Sequence, residues 1–194
     1  MASKQNRGFS LLELMIVVCI ILVLAAVTVP TLMTQVYAIR LRYSATDLSG
    51  LLQRARMEAV RKNAYYSLQT VAGTPQMAEV IDKNLAVVTT IPPVQLGQNV
   101  TVFFGAGSGA PNEGPFLTSL GFTAASSTSV PSFNARGLPC VAAAQTCYPA
   151  AGQGFAFFLS GASTAGSVGW VAVTVTPSGR CQVWAYNGTS WNQQ

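Results

Sequence analysis

Residues 14 to 39 carry no charge at all, and a single acid, Glu13, stands just before this apolar run. Further on the apolar positions thin to a stripe, with Leu48, Leu51, Leu52, Ala55 and Ala59 recurring at three- and four-residue steps. That spacing predicts an amphipathic helix with one buried face. The opposite face is charged, and Glu58 lies four residues from both Arg54 and Lys62. Each such pair is expected to stabilise the helix by ~0.2 to 0.5 kcal/mol. Asn63 reads as the stop. One helix from about Phe9 to Asn63 would be roughly 80 Å long at ~1.5 Å per residue, so half of it is expected to project. Pro30 falls inside it, removes one backbone hydrogen bond and is expected to kink or loosen the helix there.

From Ala64 the period changes. Short β-rich runs, "YYSLQTV", "NLAVVTTI", "NVTVFF", "GFAFFL", "GWVAVTVT" and "RCQVWAY", are separated by turn residues. The last two are joined by "PSG", a tight hairpin turn. Residues 105 to 115, "GAGSGAPNEGP", and 123 to 132, "TAASSTSVPS", read as loops. The fold class that follows is α+β, a long N-terminal α-helix on a small, mostly antiparallel β-sheet head. Its divisions are 1–8 as a leader, 9–35 as an apolar helix, 36–63 as an amphipathic helix on the head, and 64–194 as the head.

Composition removes most enzymatic readings. The chain has no histidine and only 9% charged residues, so the commonest general acid/base and metal ligand are missing. The three head acids, Glu79, Asp82 and Glu113, show no paired-carboxylate spacing. No catalytic residue, metal or cofactor is expected. "GAGSGA" formally satisfies a dinucleotide fingerprint, but "PNEGP" follows it where a helix would have to face the pyrophosphate. The formal charge of +5 sits mainly on the leader and the helix, because from residue 64 onward Lys83, Arg136 and Arg180 balance those three acids. Of the four cysteines, Cys19 lies in the apolar run. Cys140 and Cys147 bracket a short loop that suits a disulfide in an oxidising compartment, although Cys181 could displace one of them.

The uncharged run exceeds the roughly 20 apolar residues that span a bilayer as a helix. A cleaved signal peptide competes with this reading, but an acid so early in the run and the lack of a small-x-small cleavage site argue against it. The stretch from Arg7 through Gly8, Phe9 and Glu13 into the apolar helix resembles the class III signal of type IV pilins and pseudopilins. That resemblance implies cleavage by prepilin peptidase between Gly8 and Phe9, methylation of the new amine, and a helix proline at Pro30. It also implies a single pass through the inner membrane with a periplasmic head, followed by assembly into a filament. The implied partners are the peptidase, other pilin or pseudopilin subunits, an inner-membrane assembly platform and the lipid bilayer. Glu13 would pair with the amine of Phe9 on a neighbouring subunit. As a simple membrane anchor it would cost ~2.5 to 3.5 kcal/mol.

Three further segments, "LSGLLQRARMEAVRKN", "FNARGL" and "VAVTVTPSGRCQVW", resemble the FimT/GspH-type minor pilins and pseudopilins. Some members of that family bind DNA through a Gly-Arg-x-Arg pattern in the last hairpin. Here Gly179 and Arg180 are present, but Gln182 replaces the second arginine. DNA contact through Arg136 and Arg180 is therefore the weaker expectation, since non-specific affinity needs clustered cations. The leading expectation is a structural subunit of a type IV pilus, which the long neutral loops favour. The alternatives are a type II secretion pseudopilin, a DNA-binding tip pilin, and a bitopic membrane protein with an exported β-rich binding domain.

Overall fold

In the computed structural model the described residues are 10–143, 146–149, 151–163 and 166–194. The leader with Gly8, and Phe9 after it, lie outside them. The first element is a helix, α1 (Leu11–Lys62), followed by β1 (Tyr66–Val71), β2 (Met77–Ile81), β3 (Val94–Gln95) and β4 (Val100–Phe104). Next come a short helix α2 (Glu113–Ser119), then β5 (Thr123–Ala124), β6 (Pro131–Phe133), β7 (Pro139–Ala143) and β8 (Thr146–Tyr148). The chain closes with β9 (Gln153–Ser163), β10 (Gly166–Val175), β11 (Cys181–Tyr186) and β12 (Trp191–Gln193). This is an α+β fold with two compact units, residues 1–36 and 37–194.

In the first unit, α1 continues through Pro30 without a break in its helical assignment. Its described large apolar side chains are bare, from Leu11 at 83% exposure to Leu24 at 60%. A helix that is apolar on every side needs a lipid or protein environment around it. Among the described residues no helix is both long and apolar enough to cross a membrane. The expected span over 9–35 stays a proposal.

In the second unit the amphipathic part of α1 supplies the core. All five residues of the expected stripe are buried, and Leu41 and Ala45 extend it towards the N terminus. They meet Leu68, Val80, Phe133, Phe155, Phe157, Val171 and Val173 from the strands. The strands form two sheets, ordered β3-β2-β1-β6-β7-β8 and β12-β11-β10-β9-β4. Neighbours in both are antiparallel, and β5 pairs in parallel with β9. A second apolar cluster lies around Phe116 of α2, whose ring stacks on Trp191 at 4.7 Å and meets Trp184 edge-on at 5.5 Å.

Asn63 ends α1 in the left-handed region at φ 49°. The Ala64 amide donates to the carbonyl of Ala59 and the Asn63 amide to that of Val60, so a Schellman pair satisfies the last turn.

Four expectations need correction, the first being that residues 123–132, expected as a loop, hold β5 and the start of β6. Glu58 pairs with neither Arg54 nor Lys62. Its carboxylate instead accepts two bonds from the guanidinium of Arg61, at 2.8 and 2.6 Å, because the planar fork at i+3 matches both oxygens. "NLAVVTTI" is a turn with one isolated bridge, Ile81 to Val87, and the strand in that region is β2, "MAEVI". A helix, α2, does follow "GAGSGA". The loop is still no phosphate cradle, since the Glu113 carboxylate accepts from the Gly107 amide at 2.6 Å and the Ser108 hydroxyl at 2.8 Å. An acid already occupies the place an anion would take.

Candidate functional site

The site in the head grows from two turns of one design. In Asn134–Leu138, the Gly137 amide donates to the Asn134 carbonyl and the Asn134 amide to the Leu138 carbonyl. The Asn134 side chain accepts from the Arg136 and Leu138 amides. In Thr176–Arg180 the same bonds recur, with Gly179 donating to Thr176 and the Thr176 hydroxyl accepting from the Arg180 amide. Such turns need a left-handed residue at their fourth position, and Gly137 (φ +73°) and Gly179 (φ +80°) supply it without a steric cost.

These two turns meet. A Cβ placed on Gly179 would lie 2.5 Å from the carbonyl oxygen of Gly137, so bare backbone faces bare backbone. Arg56, half-buried on α1, joins them to the helix. Its Nε donates to the Gly137 carbonyl at 2.9 Å and its Nη2 to the Ser178 carbonyl at 3.2 Å. The three segments that carry the family resemblance are therefore one knot in space, a helix turn and two glycine turns fastened by one guanidinium.

The knot brings together the turns that bear Arg136 and Arg180, and both side chains are exposed. Beside it runs an open groove of about 610 Å³, walled by Arg56, Met57, Val60 and Arg61 of α1 and by Gly179, Arg180 and Cys181 of the hairpin. Met57 and Val60 are 63% and 51% exposed in it. Burial pushes the Cys181 thiol up to about 11, and the charge of Arg56 opposes this in part. The hydrogen bond from Arg61 holds the Glu58 carboxyl below its ordinary range. Arg56 and this groove received no role from the sequence. The signal present was the position of Arg56 within "QRARMEA", but its partners are carbonyls of residues far along the chain.

Neither Cys140 nor Cys147 lines the groove. Cys140 and Cys147 form a disulfide across the β7–β8 hairpin, with Cα atoms 5.4 Å apart, while Cys19 and Cys181 are free. Glu13 is exposed in the first turn of α1, where the amides of a helix N terminus favour a negative charge. The backbone of Pro30 is helical. Among the described residues no group of three or more His, Cys, Asp or Glu side chains could hold a metal.

Comparison with known proteins adds the following. No curated protein matches the chain. A crystal structure of the type IV minor pilin FimU from Pseudomonas aeruginosa is similar in outline, with 16% identity and a TM-score of 0.47, over 79% of this chain and 93% of that one. Residues 3–29 match the family model described as the prokaryotic N-terminal methylation motif. At its N terminus, then, the chain carries the prokaryotic N-terminal methylation motif.

Proposed function

We propose that the chain is a structural subunit, a minor pilin of a type IV pilus, processed after Gly8, methylated on Phe9 and assembled through its apolar helix. The observation that carries this reading is the methylation motif over residues 3–29, continuous with a helix whose described apolar side chains are bare. Such a surface is stable in a bilayer before assembly and in a bundle of like helices after it. Prepilin peptidase and other pilin subunits are the partners this requires.

Glu13 gives assembly its register. Cleavage creates a positive amine four residues before an acid, and pairing of Glu13 with a neighbour's amine fixes the axial offset between two helices. Pro30 marks a place where the helix can yield during transfer from lipid to filament.

The test is processing and incorporation in the native host. Gly8→Ala should leave the leader attached by intact mass, and normal cleavage of that variant would sink the reading. Glu13→Ala should be cleaved yet enter sheared filaments poorly at native expression. Deletion scored in parallel for twitching, DNA uptake and exoprotein secretion separates the pilus from a type II secretion pseudopilus. DNA contact finds less support, because Arg61 is neutralised by Glu58 and Arg56 is committed to two carbonyls. Arg136 and Arg180 alone offer few phosphate contacts.

A further inference from the structure

We propose that the groove between α1 and the β10–β11 turn is a docking site for an acidic, aliphatic peptide segment of a neighbouring subunit, with Arg180 receiving its carboxylate. The chemistry of the walls carries this. Of the three guanidinium groups lining the groove, Arg61 is held by Glu58 and Arg56 by the carbonyls of Gly137 and Ser178. Arg180 is exposed and, among the described residues, has no side-chain partner. The groove therefore presents one uncommitted cation beside an aliphatic and thioether wall, Met57 and Val60, that is more than half exposed.

A single carboxylate next to a branched aliphatic side chain satisfies both features at once. The carboxylate gains a charge-assisted, forked hydrogen bond, and the aliphatic group covers Met57 and Val60. Nucleic acid fits worse on two counts. No aromatic ring lines the groove for a base to stack on, and one free guanidinium neutralises one phosphate. The clamp from Arg56 also fixes the turn that carries Arg180, so the cation is presented from a held backbone. That the segment belongs to a filament neighbour rests on the reading above, whereas the groove's preference for an acid does not.

The experiment uses the full chain in detergent micelles with methyl-labelled methionine. Met57 reports on the groove, and Met77, on β2, reports on the rest of the head. The probes are the capped peptides acetyl-Leu-Asp-Val-amide and acetyl-Leu-Asn-Val-amide, and a thymidine oligonucleotide of about twelve residues. The aspartyl peptide should shift the Met57 methyl selectively and bind about fivefold tighter than the asparaginyl one, with Arg180→Gln erasing that difference. The proposal is overturned if the two peptides bind alike, if Met77 shifts as much as Met57, or if the oligonucleotide saturates the Met57 shift at lower concentration than the aspartyl peptide. Each of these outcomes is independent of whether Gly8 is processed, so failure here and failure of the filament reading are told apart.

Discussion

Arg56 and Gly137 lie 81 residues apart in sequence, yet the guanidinium Nε of the first donates to the carbonyl oxygen of the second at 2.9 Å. The same side chain reaches Ser178 across 122 residues. One residue of the helix thus fastens turns from both sheets. Removing it leaves two carbonyls of tight turns without a charged donor, at a cost of about 2 to 3 kcal/mol. Arg56→Met, which keeps the apolar stem, should lower the denaturant midpoint of the full chain accordingly. Arg56→Lys should recover only part of the loss, because an ammonium lacks the fork that spans two acceptors.

The glycines of the two turns differ in what surrounds them. A methyl on Gly137 would press on side-chain rather than backbone atoms, with Val60 Cγ2 the nearest at 3.0 Å and Arg56 Nε at 3.1 Å. A methyl on Gly179 would strike the Gly137 carbonyl oxygen at 2.5 Å and Arg56 Nε at 2.8 Å. Both substitutions also incur the left-handed penalty of about 1 to 2 kcal/mol for a residue with a Cβ. Gly137→Ala should therefore cost about 1 to 2 kcal/mol, and Gly179→Ala more than about 3, since backbone must move. Thermal unfolding of the two variants side by side checks the order.

Much of this fold is legible because its signals are periodic and local. The stripe from Leu48 to Ala59 is buried as its spacing requires, and the runs around β1, β4, β9, β10 and β11 are rich enough in β-branched and aromatic residues, between turn residues, to be read as strands. β2 is hidden because Met, Ala and Glu have weak strand preference. "NLAVVTTI" misleads because only Val88 and Ile91 of its apolar residues pack on the core, Leu85 and Val87 being exposed, while the Asp82 side chain accepts from the Asn84 and Ala86 amides and turns the chain. α2 contains Gly114 and Pro115, poor helix formers that are tolerated in a first turn. The knot around Arg56 is legible only as three separate segments, with nothing in the sequence that joins them. Its acceptors are backbone carbonyls, whose position only the tertiary fold determines.

The turn Asp82–Ala86 repeats the design of the two glycine turns, with Leu85 donating to the Asp82 carbonyl and Asp82 to that of Ala86. The residue at its left-handed position is Leu85, at φ 63° and 77% exposed. A bulky side chain there carries conformational strain and gains almost no burial. Asn tolerates this region through its own short polar side chain and, unlike Gly, adds little freedom to the unfolded chain. Leu85→Asn should stabilise the protein by about 0.5 to 1 kcal/mol, read as a higher denaturant midpoint with an unchanged slope.

Cys181 offers a pH readout of the groove. Desolvation raises its thiol to about 11, against roughly 8.5 for a free cysteine, and the nearby Arg56 charge limits that rise. Only the thiolate attacks an alkylating reagent, so in the native state the rate should keep climbing well past the pH at which an ordinary thiol levels off. In a Cys19→Ser background Cys181 is the one free thiol among the cysteines, since Cys140 and Cys147 are bonded. Iodoacetamide labelling followed by intact mass should then give a profile whose midpoint lies near 11 in the folded chain and returns towards ~8.5 in denaturant. Arg56→Met removes the opposing charge and should move the folded midpoint higher still. A midpoint near ~8.5 in the folded chain would mean that the thiol faces water, and that the groove wall does not cover it as described.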